Sequence, residues 1–236
     1  MPRAVAATRV KVESVSARQF TRVLGVAAMT TATLFATPTP SAAAAPCPDA
    51  EIVFARGTFE PPGLGGIGQS FVDAVQKKAA GKSVSVYAVN YPASTDFPTA
   101  VQGIRDAANR IEATAASCPN TRIVLGGFSQ GAAVAGFVTS EAVPSGLNAD
   151  DVPDPMPPEI ADHVAAVVLF GKPGPSFMEA INTPPVEIGD LYKAKTIDLC
   201  ISNDPICAGS GDGGNHSLYN QNGMTDQAAA YAVGRL

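Results

Sequence analysis

The sequence predicts an α/β fold in which helices cover both faces of a parallel β-sheet. Short apolar runs rich in β-branched residues alternate along the chain with longer segments that carry an apolar residue every three or four positions. This alternation is typical of β-α-β units, because strands covered on both faces read as almost continuous apolar runs. The 22 glycines and 20 prolines favour the many turns of such a fold over a helical bundle.

Five apolar segments are predicted to be the strands of this sheet. Each is five to seven residues long and nearly continuous in its hydrophobicity. In chain order they are residues 51–55, 84–89, 122–126, 164–170 and 196–201. The chain contains neither an internal repeat nor a second domain, so all five strands are assigned to one sheet.

The predicted helices are residues 67–80, 97–117, 130–141 and 225–233. The second carries Val101, Ile104 and Ala108 three or four positions apart, which gives one apolar stripe. The third is almost wholly small and apolar and is therefore expected to be buried. The last begins at Thr225, a residue type that caps helix N-termini. Residues 143–159 hold five prolines and are predicted to form a surface loop.

The first 44 residues have the pattern of a cleaved secretory signal. Residues 1–22 carry five basic side chains and one acidic one, and residues 23–37 are uncharged. Small residues then lead to an Ala-x-Ala site, and we expect cleavage near Ala44. The uncharged stretch is shorter than the roughly 20 apolar residues of a membrane-spanning helix. We therefore expect a secreted domain at residues 45–236, extracellular or associated with the cell wall, with no integral membrane span.

Charge and composition exclude two classes of protein. Without the leader, 192 residues remain, with 11 basic and 20 acidic side chains and a formal net charge of −9. A net negative charge gives no footprint for nucleic acid, so none is expected as a partner. An apolar content of 46% excludes an intrinsically disordered chain.

Four cysteines are expected to form two disulfides in the oxidising environment outside a cell. Cys200 and Cys207 bracket a short turn and can pair locally, which leaves Cys47 to pair with Cys118. The spacing of these cysteines does not suit a zinc site, and we expect no metal ion and no organic cofactor.

A Gly-x-Ser-x-Gly motif follows the third predicted strand and has Ser129 at its centre. A nucleophilic serine needs this position on a sharp strand-to-helix turn, where neighbouring residues must lack bulk. The motif alone is weak, but its place between an apolar strand and a buried helix makes it specific. The sequence therefore predicts that Ser129 is a nucleophile.

A nucleophilic serine needs a base, and the chain offers two histidines. His163 directly precedes the fourth predicted strand, and its simplest interpretation is an exposed residue at the start of that strand. His216 lies in a polar loop beyond every predicted strand. Hydrolases with this kind of turn have the order serine, acid, histidine, which favours His216 as the base.

Several acidic residues lie between the serine and the second histidine, so order alone does not choose the acid. Asp204 is favoured because it lies inside the Cys200–Cys207 segment, after the last predicted strand. A disulfide there would hold its carboxylate in place. Asp198, within the predicted strand, and Asp212, nearer to the histidine, are the alternatives.

Together these motifs resemble the cutinase family of serine esterases, most closely its actinobacterial, mycobacterial-type members. The resemblance rests on the Gly-Phe-Ser-Gln-Gly motif, the aspartate between two cysteines, the following histidine, and Arg-Gly-Thr-Phe-Glu at residues 56–60. It spans nearly the whole chain after the leader. Two features depart from the family pattern: Phe128 replaces a common tyrosine, and residues 143–159 are longer and richer in proline.

The resemblance implies a three-layer α/β/α hydrolase fold with a five-stranded parallel sheet and no lid domain. It implies a secreted monomer that hydrolyses short- or medium-chain carboxylic esters, of lipid or polyester type, through an acyl-enzyme. By this resemblance, Ser129 would be the nucleophile, Asp204 the acid and His216 the base. The backbone N–H groups of Thr58 and Gln130 would form the oxyanion hole. The disulfides would be Cys47–Cys118 and Cys200–Cys207.

The rim of the site is predicted from two loops, residues 91–97 and 209–218. Their apolar members Tyr91, Phe97 and Leu218 suit contact with an acyl chain, although Tyr91 and Phe97 are equally compatible with closing the core beneath a loop. Three other functions fit the same fold: acetylxylan esterase, acyltransferase onto a cell-envelope sugar, and non-catalytic surface protein. The intact set of serine, aspartate and histidine argues against the last.

Overall fold

The computed structural model describes residues 46–144 and 152–236. The predicted leader, residues 1–44, and residues 145–151 of the predicted surface loop lie outside the described residues. Five parallel strands form one sheet in the order β2-β1-β3-β4-β5, which confirms the predicted fold class. The strands are β1 (Ala50–Ala55), β2 (Val84–Ala88), β3 (Arg122–Phe128), β4 (Val164–Phe170) and β5 (Thr196–Leu199).

Helices occupy both faces of the sheet. They are α1 (Gly65–Lys78), α2 (Val101–Ser117), α3 (Gln130–Val138), α4 (Pro175–Ala180), α5 (Asp190–Lys193), α6 (Pro205–Ala208) and α7 (Met224–Val233). Helices α2 and α3 pack on one face, whereas α1 and α7 pack on the other. Within the described ranges, no helix is both long and apolar enough to cross a membrane.

The core follows from strands that are buried on both faces. All of β1 and β4, and all of β3 beyond its first residue, are buried. Successive side chains of a strand point to opposite faces, so each strand supplies two separate apolar clusters. Val53 and Leu125 contribute to the α2–α3 side, whereas Phe54 and Phe170 contribute to the α1–α7 side.

The register places the carboxyl ends of all five strands at one edge of the sheet. Ala50 of β1 lies opposite Val84 of β2 and Arg122 of β3, and all neighbouring strands are parallel. The loops that follow the strands therefore meet at this carboxyl edge, where open α/β sheets place their ligands.

Both predicted disulfides are present. Cys47 is bonded to Cys118 with a Cα–Cα distance of 5.5 Å, and Cys200 is bonded to Cys207 with a Cα–Cα distance of 5.9 Å. The first ties the segment before β1 to the end of α2. The second closes the loop after β5.

The predicted elements differ from the observed ones mainly at their ends. The last strand stops at Leu199 rather than at residue 201. The loop closed by the Cys200–Cys207 disulfide begins directly after it. The second predicted helix starts with a 3₁₀ turn over Phe97–Ala100, which carries Pro98 in its first turn. Helices α4, α5 and α6 were not predicted, since four to six residues are too short for an apolar periodicity to appear.

A buried carboxylate holds α2 to the amino end of β1. Glu51 is 1% exposed, and its oxygens accept hydrogen bonds from the Arg110 guanidinium, the Thr114 hydroxyl at 2.6 Å and the Ser85 hydroxyl at 3.2 Å. The hydrogen bond with Glu51 raises the pKa of Arg110 above its ordinary value. The guanidinium also lies over the Tyr87 ring, 4.9 Å from its centroid.

We predict that Arg110→Met lowers the free energy of unfolding by about 2 kcal/mol, because Glu51 would keep its buried charge without a cation. This destabilisation is smaller than that expected for a fully buried ion pair, because the Arg110 side chain is 40% exposed. Urea unfolding measures the change. The control is Arg105→Met, which removes an exposed arginine from the same helix. Equal effects of the two substitutions would contradict the prediction.

Candidate active site

Ser129 occupies a strained turn between β3 and α3. Its backbone has φ 55° and ψ −121°, in the left-handed half of conformational space that residues other than glycine rarely adopt. The turn is held because the Ser129 N–H donates to the Phe170 carbonyl at 2.9 Å, and the Ser129 carbonyl accepts from Ala132 and Ala133 in α3. The serine side chain faces a cleft at the carboxyl edge of the sheet.

The two glycines of the motif are required by close backbone contacts. A Cβ atom on Gly127 would lie 2.1 Å from the Gly131 carbonyl oxygen. A Cβ atom on Gly131 would lie 2.0 Å from the Ala55 carbonyl oxygen. Neither position can accept a side chain without a backbone shift, as predicted from the motif.

Asp204 is completely buried in the loop after β5 and caps the first turn of α6. Its Oδ1 accepts a hydrogen bond from the Ile206 N–H at 2.9 Å. Its Oδ2 lies 2.7 Å from His216 Nδ1 and accepts a hydrogen bond of 2.6 Å from the Tyr219 hydroxyl. The carboxylate is therefore surrounded by donors from three positions along the chain.

His216 lies in a 3₁₀ helix, Gly213–Ser217, and its side chain is 17% exposed. The ring packs against Phe128, with 4.8 Å between ring centroids. One ring nitrogen, Nδ1, is used by Asp204, whereas Nε2 is buried and has no hydrogen-bond partner among the described residues. His216 and Ser129 line the same cleft.

The alternative residues considered from the sequence lie elsewhere. Asp198, on β5, is 3.3 Å from the Lys172 ammonium, and partial burial raises the pKa of its carboxyl. Asp212 accepts from the Gly214 N–H at 2.9 Å and so caps the 3₁₀ helix that carries the histidine. His163 directly precedes β4 at the amino edge of the sheet, the opposite edge from Ser129.

The loop over residues 56–60 is fixed by charged side chains that bind backbone groups. The Glu60 carboxylate accepts 2.7 Å hydrogen bonds from the N–H groups of Gly57 and Gly66. The Arg56 guanidinium donates to the carbonyls of Glu60 and Tyr91, at 2.8 and 2.7 Å. A loop braced in this way holds its backbone without help from a ligand.

Thr58 of this loop and Gln130 at the start of α3 both line the cleft. Neither backbone N–H donates a hydrogen bond to another group in the described part of the chain. The Gln130 side-chain amide donates instead to the Ser94 carbonyl at 2.9 Å. Two free donors therefore remain beside Ser129, from two different elements.

Of the three predicted rim residues, only Phe97 lines the cleft, where its ring meets Phe177 at 6.3 Å between centroids. Tyr91 is 5% exposed, because it follows β2 directly into the core, and its hydroxyl donates to the Arg56 carbonyl. It supports the 56–60 loop rather than the rim. Leu218 is half-buried and closes the 3₁₀ turn, so it does not line the cleft.

The cleft has a volume of about 1140 Å³ and is bounded mostly by apolar side chains. One wall consists of Val101, Ile104 and Ala108 on α2. Another consists of residues at helical spacing on α3, and α4 supplies the wall around Phe177. The α3 residues are Ala133, Val134, Phe137 and Val138. Apolar surface thus begins directly beside the serine.

Two contributors to this arrangement were not predicted from the sequence, namely Tyr219 and Gly171. Gly171 follows β4 with φ +55°, and a Cβ atom there would lie 2.9 Å from Tyr219 Oη, 3.0 Å from His216 Cε1 and 3.1 Å from Asp204 Oδ2. The glycine therefore packs against all three side chains at once. No local motif distinguishes either residue.

We predict that Gly171→Ala costs about 1 kcal/mol more free energy of unfolding than Gly223→Ala, measured by urea unfolding. Both glycines have positive φ, but a Cβ atom on Gly223 would meet nothing within 4 Å. The difference between the two variants therefore reports the contacts rather than the backbone strain. Equal destabilisation would show that the three neighbours move aside freely.

Comparison with known proteins places these features in a family context. The family profile described as Cutinase matches residues 46–236. The probable carboxylesterase Culp5 of Mycobacterium tuberculosis is 55% identical over 168 residues, which cover 71% of this chain and 96% of that protein. The carboxylesterase Culp1 of the same organism is 47% identical over 225 residues, covering 93% of this chain and 97% of that protein.

A solved structure shows the same architecture. The cutinase of Trichoderma reesei, in complex with a C11Y4 phosphonate inhibitor, superposes with a TM-score of 0.58 and 34% sequence identity. The match covers 80% of this chain and 77% of that one.

Proposed function

The chain belongs to the cutinase family and is a carboxylic ester hydrolase, and from this premise we propose that Ser129, Asp204 and His216 act as its nucleophile, acid and base. The observation that carries the proposal is the 2.7 Å contact between Asp204 Oδ2 and His216 Nδ1. Nε2 of the same ring is buried and has no hydrogen-bond partner in the described part of the chain, and His216 lines the cleft of the serine.

The mechanism follows from these roles. His216 Nε2 takes the hydroxyl proton as Ser129 Oγ attacks the ester carbonyl carbon, and Asp204 stabilises the imidazolium that forms. When the tetrahedral intermediate collapses, the C–O bond breaks and the alcohol leaves with the proton from Nε2. Water then gives a proton to the same nitrogen and attacks the acyl carbonyl carbon. The bond from that carbon to Ser129 Oγ breaks, the serine takes the proton back from Nε2, and the carboxylic acid is released.

The N–H groups of Thr58 and Gln130 are proposed to bind the oxyanion. The bracing of residues 56–60 by Arg56 and Glu60 supports this role, because donors that are already fixed need no reorganisation during the reaction. Each such donor contributes about 3 kcal/mol to transition-state stabilisation in comparable sites.

The substrate is proposed to be an ester of a short- or medium-chain acid, from a lipid or a polyester. From Ser129 to Val138 the α3 wall is about 13 Å long, at a rise of about 1.5 Å per residue. An extended acyl chain of about ten carbons spans that length, at about 1.25 Å per carbon for bonds of about 1.5 Å. An acetyl group would leave most of this apolar wall in water, so the cleft favours longer acyl chains over acetylxylan.

The protein is proposed to act outside the cell, as a monomer. Two disulfides in the described chain suit an oxidising compartment, in agreement with the leader expected at residues 1–44. The proposed catalytic and oxyanion-binding groups all come from one chain.

We predict that Ser129→Ala lowers kcat for p-nitrophenyl butyrate by roughly 10⁴–10⁶-fold, because only the proposed nucleophile is lost. A fluorophosphonate should label the wild-type protein once, on Ser129, and should not label the variant. The control is Ser70→Ala, on α1 and outside the cleft. Substantial activity or labelling in Ser129→Ala would exclude this serine as nucleophile.

We predict that Ile104→Trp lowers kcat/KM for p-nitrophenyl decanoate about tenfold and changes that for the butyrate less than twofold. The larger side chain would occupy the cleft where the distal methylenes bind, and each buried methylene contributes about 0.8 kcal/mol. Steady-state kinetics across the chain-length series measures the effect.

The matched control is Ile160→Trp, which alters a half-buried isoleucine that packs against the same core but does not line the cleft. Thermal unfolding of both variants checks that they are folded. If Ile104→Trp lowered kcat/KM equally for esters of every acyl-chain length, the result would count against an acyl-binding wall.

A further inference from the structure

We propose that Tyr219 is a positioning residue, whose hydroxyl holds Asp204 Oδ2 in line with His216 and stabilises the negative charge of the carboxylate. This inference rests on the triad proposed above and assigns a role to a residue that does not line the cleft. Tyr219 is fully buried, and its hydroxyl lies 2.6 Å from the same oxygen that contacts His216 Nδ1.

The direction of the Tyr219 hydrogen bond is determined by its neighbours. The Ile201 N–H can only donate, and it points at the Tyr219 hydroxyl oxygen from 3.3 Å. The single hydroxyl proton is therefore available to Asp204, which as a carboxylate can only accept. The Cys207 sulfur, 3.4 Å from the hydroxyl, carries no proton because it is in a disulfide. Tyr219 thus donates to Asp204 in the resting protein.

The phenol remains neutral in this position. Burial and the hydrogen bond to Asp204 raise the pKa of Tyr219 far above its ordinary value. A neutral hydroxyl stabilises the negative charge of the carboxylate without cancelling it. The charge of Asp204 therefore still acts on the imidazolium that forms at His216.

No lysine or arginine lies within 4 Å of Asp204 in the described part of the chain. The charged groups nearest to the cluster are otherwise engaged. Asp198 pairs with Lys172 at 3.3 Å, Asp212 caps the 3₁₀ helix, and Glu60 binds two backbone N–H groups. Among the described residues, only the Ile206 N–H and the Tyr219 hydroxyl donate hydrogen bonds to the carboxylate besides the histidine.

Removal of the hydroxyl alone tests the role, because the ring has its own packing function. The Tyr219 ring contacts Phe128, Phe170 and His216, with centroids 5.8, 6.1 and 6.3 Å away. Phenylalanine keeps these contacts. In Tyr219→Phe the carboxylate loses one of its donors, so its negative charge acts more strongly on the imidazolium form of His216.

We predict that Tyr219→Phe lowers kcat about tenfold with KM changed less than twofold, the scale of one hydrogen bond to a charged group. The acid limb of the kcat/KM profile against pH should move upward by roughly 0.5–1 pH unit. Both are measured with p-nitrophenyl butyrate between pH 4 and 9. A purely structural role would change the melting temperature and leave the limb in place.

The matched control is Tyr192→Phe. Tyr192 is also buried, and burial alone raises its pKa to about 12, with no carboxylate involved. Its loss should leave kcat and the pH profile unchanged. The proposal is overturned if Tyr219→Phe has the same kinetics as this control. If instead Ser129→Ala keeps its activity, the proposed triad itself is wrong, so the two failures are distinguishable.

A second measurement does not depend on how well the phenylalanine variant folds. Replacement of all five tyrosines by 3-fluorotyrosine makes each phenol a stronger donor while keeping every hydroxyl. The acid limb should then move to lower pH in the otherwise wild-type protein. In the Tyr219→Phe background the same replacement should leave the limb unmoved. An unmoved limb in the wild-type background would overturn the proposal.

Discussion

The buried charge of Asp204 determines how the chain is arranged after β5. A carboxylate without exposed surface is unstable unless donors surround it. Its partners lie two, twelve and fifteen residues further along the chain, on Ile206, His216 and Tyr219. The loop must therefore return on itself twice, and the Cys200–Cys207 disulfide closes the first of these returns. The hydrogen bonds that stabilise the buried charge of Asp204 therefore also bring His216 to the cleft.

Three carboxylates in this protein hold parts of the structure together by accepting hydrogen bonds, but each has a different kind of partner. Glu51, at the amino end of β1, pairs with Arg110 and holds a helix to the sheet. Glu60 binds only backbone N–H groups and braces a loop. Asp204 has neutral donors and one imidazole. An arginine beside Asp204 would neutralise the field that favours an imidazolium, so neutral donors suit its proposed role better than a cation does.

The sequence predicts the sheet well because three of its five strands are buried on both faces and read as continuous apolar runs. It also predicts the Cys200–Cys207 disulfide and the turn at Ser129, since each depends on spacing within a short segment. The Cys47–Cys118 disulfide, which joins residues 71 positions apart, follows as the remaining pair. The contacts of Tyr219 and Gly171 depend instead on how loops from β4 and β5 meet, which no local pattern encodes. For the same reason the sequence leaves Tyr91 open between the rim and the core, whereas the structure buries it in the core.

Helix α3 combines two functions that require opposite chemistry. Its first residue, Gln130, directly follows the strained serine, and the Gln130 N–H donates to no other group in the described part of the chain. The rest of the helix is too apolar to face water and lies against the core or the cleft. Helix α3 therefore holds the proposed Gln130 donor and the proposed acyl-binding wall in a fixed relation, whereas the other proposed donor, Thr58, comes from the 56–60 loop. An ester that lies along α3 with its carbonyl at Ser129 therefore meets the Gln130 N–H and the apolar wall at once.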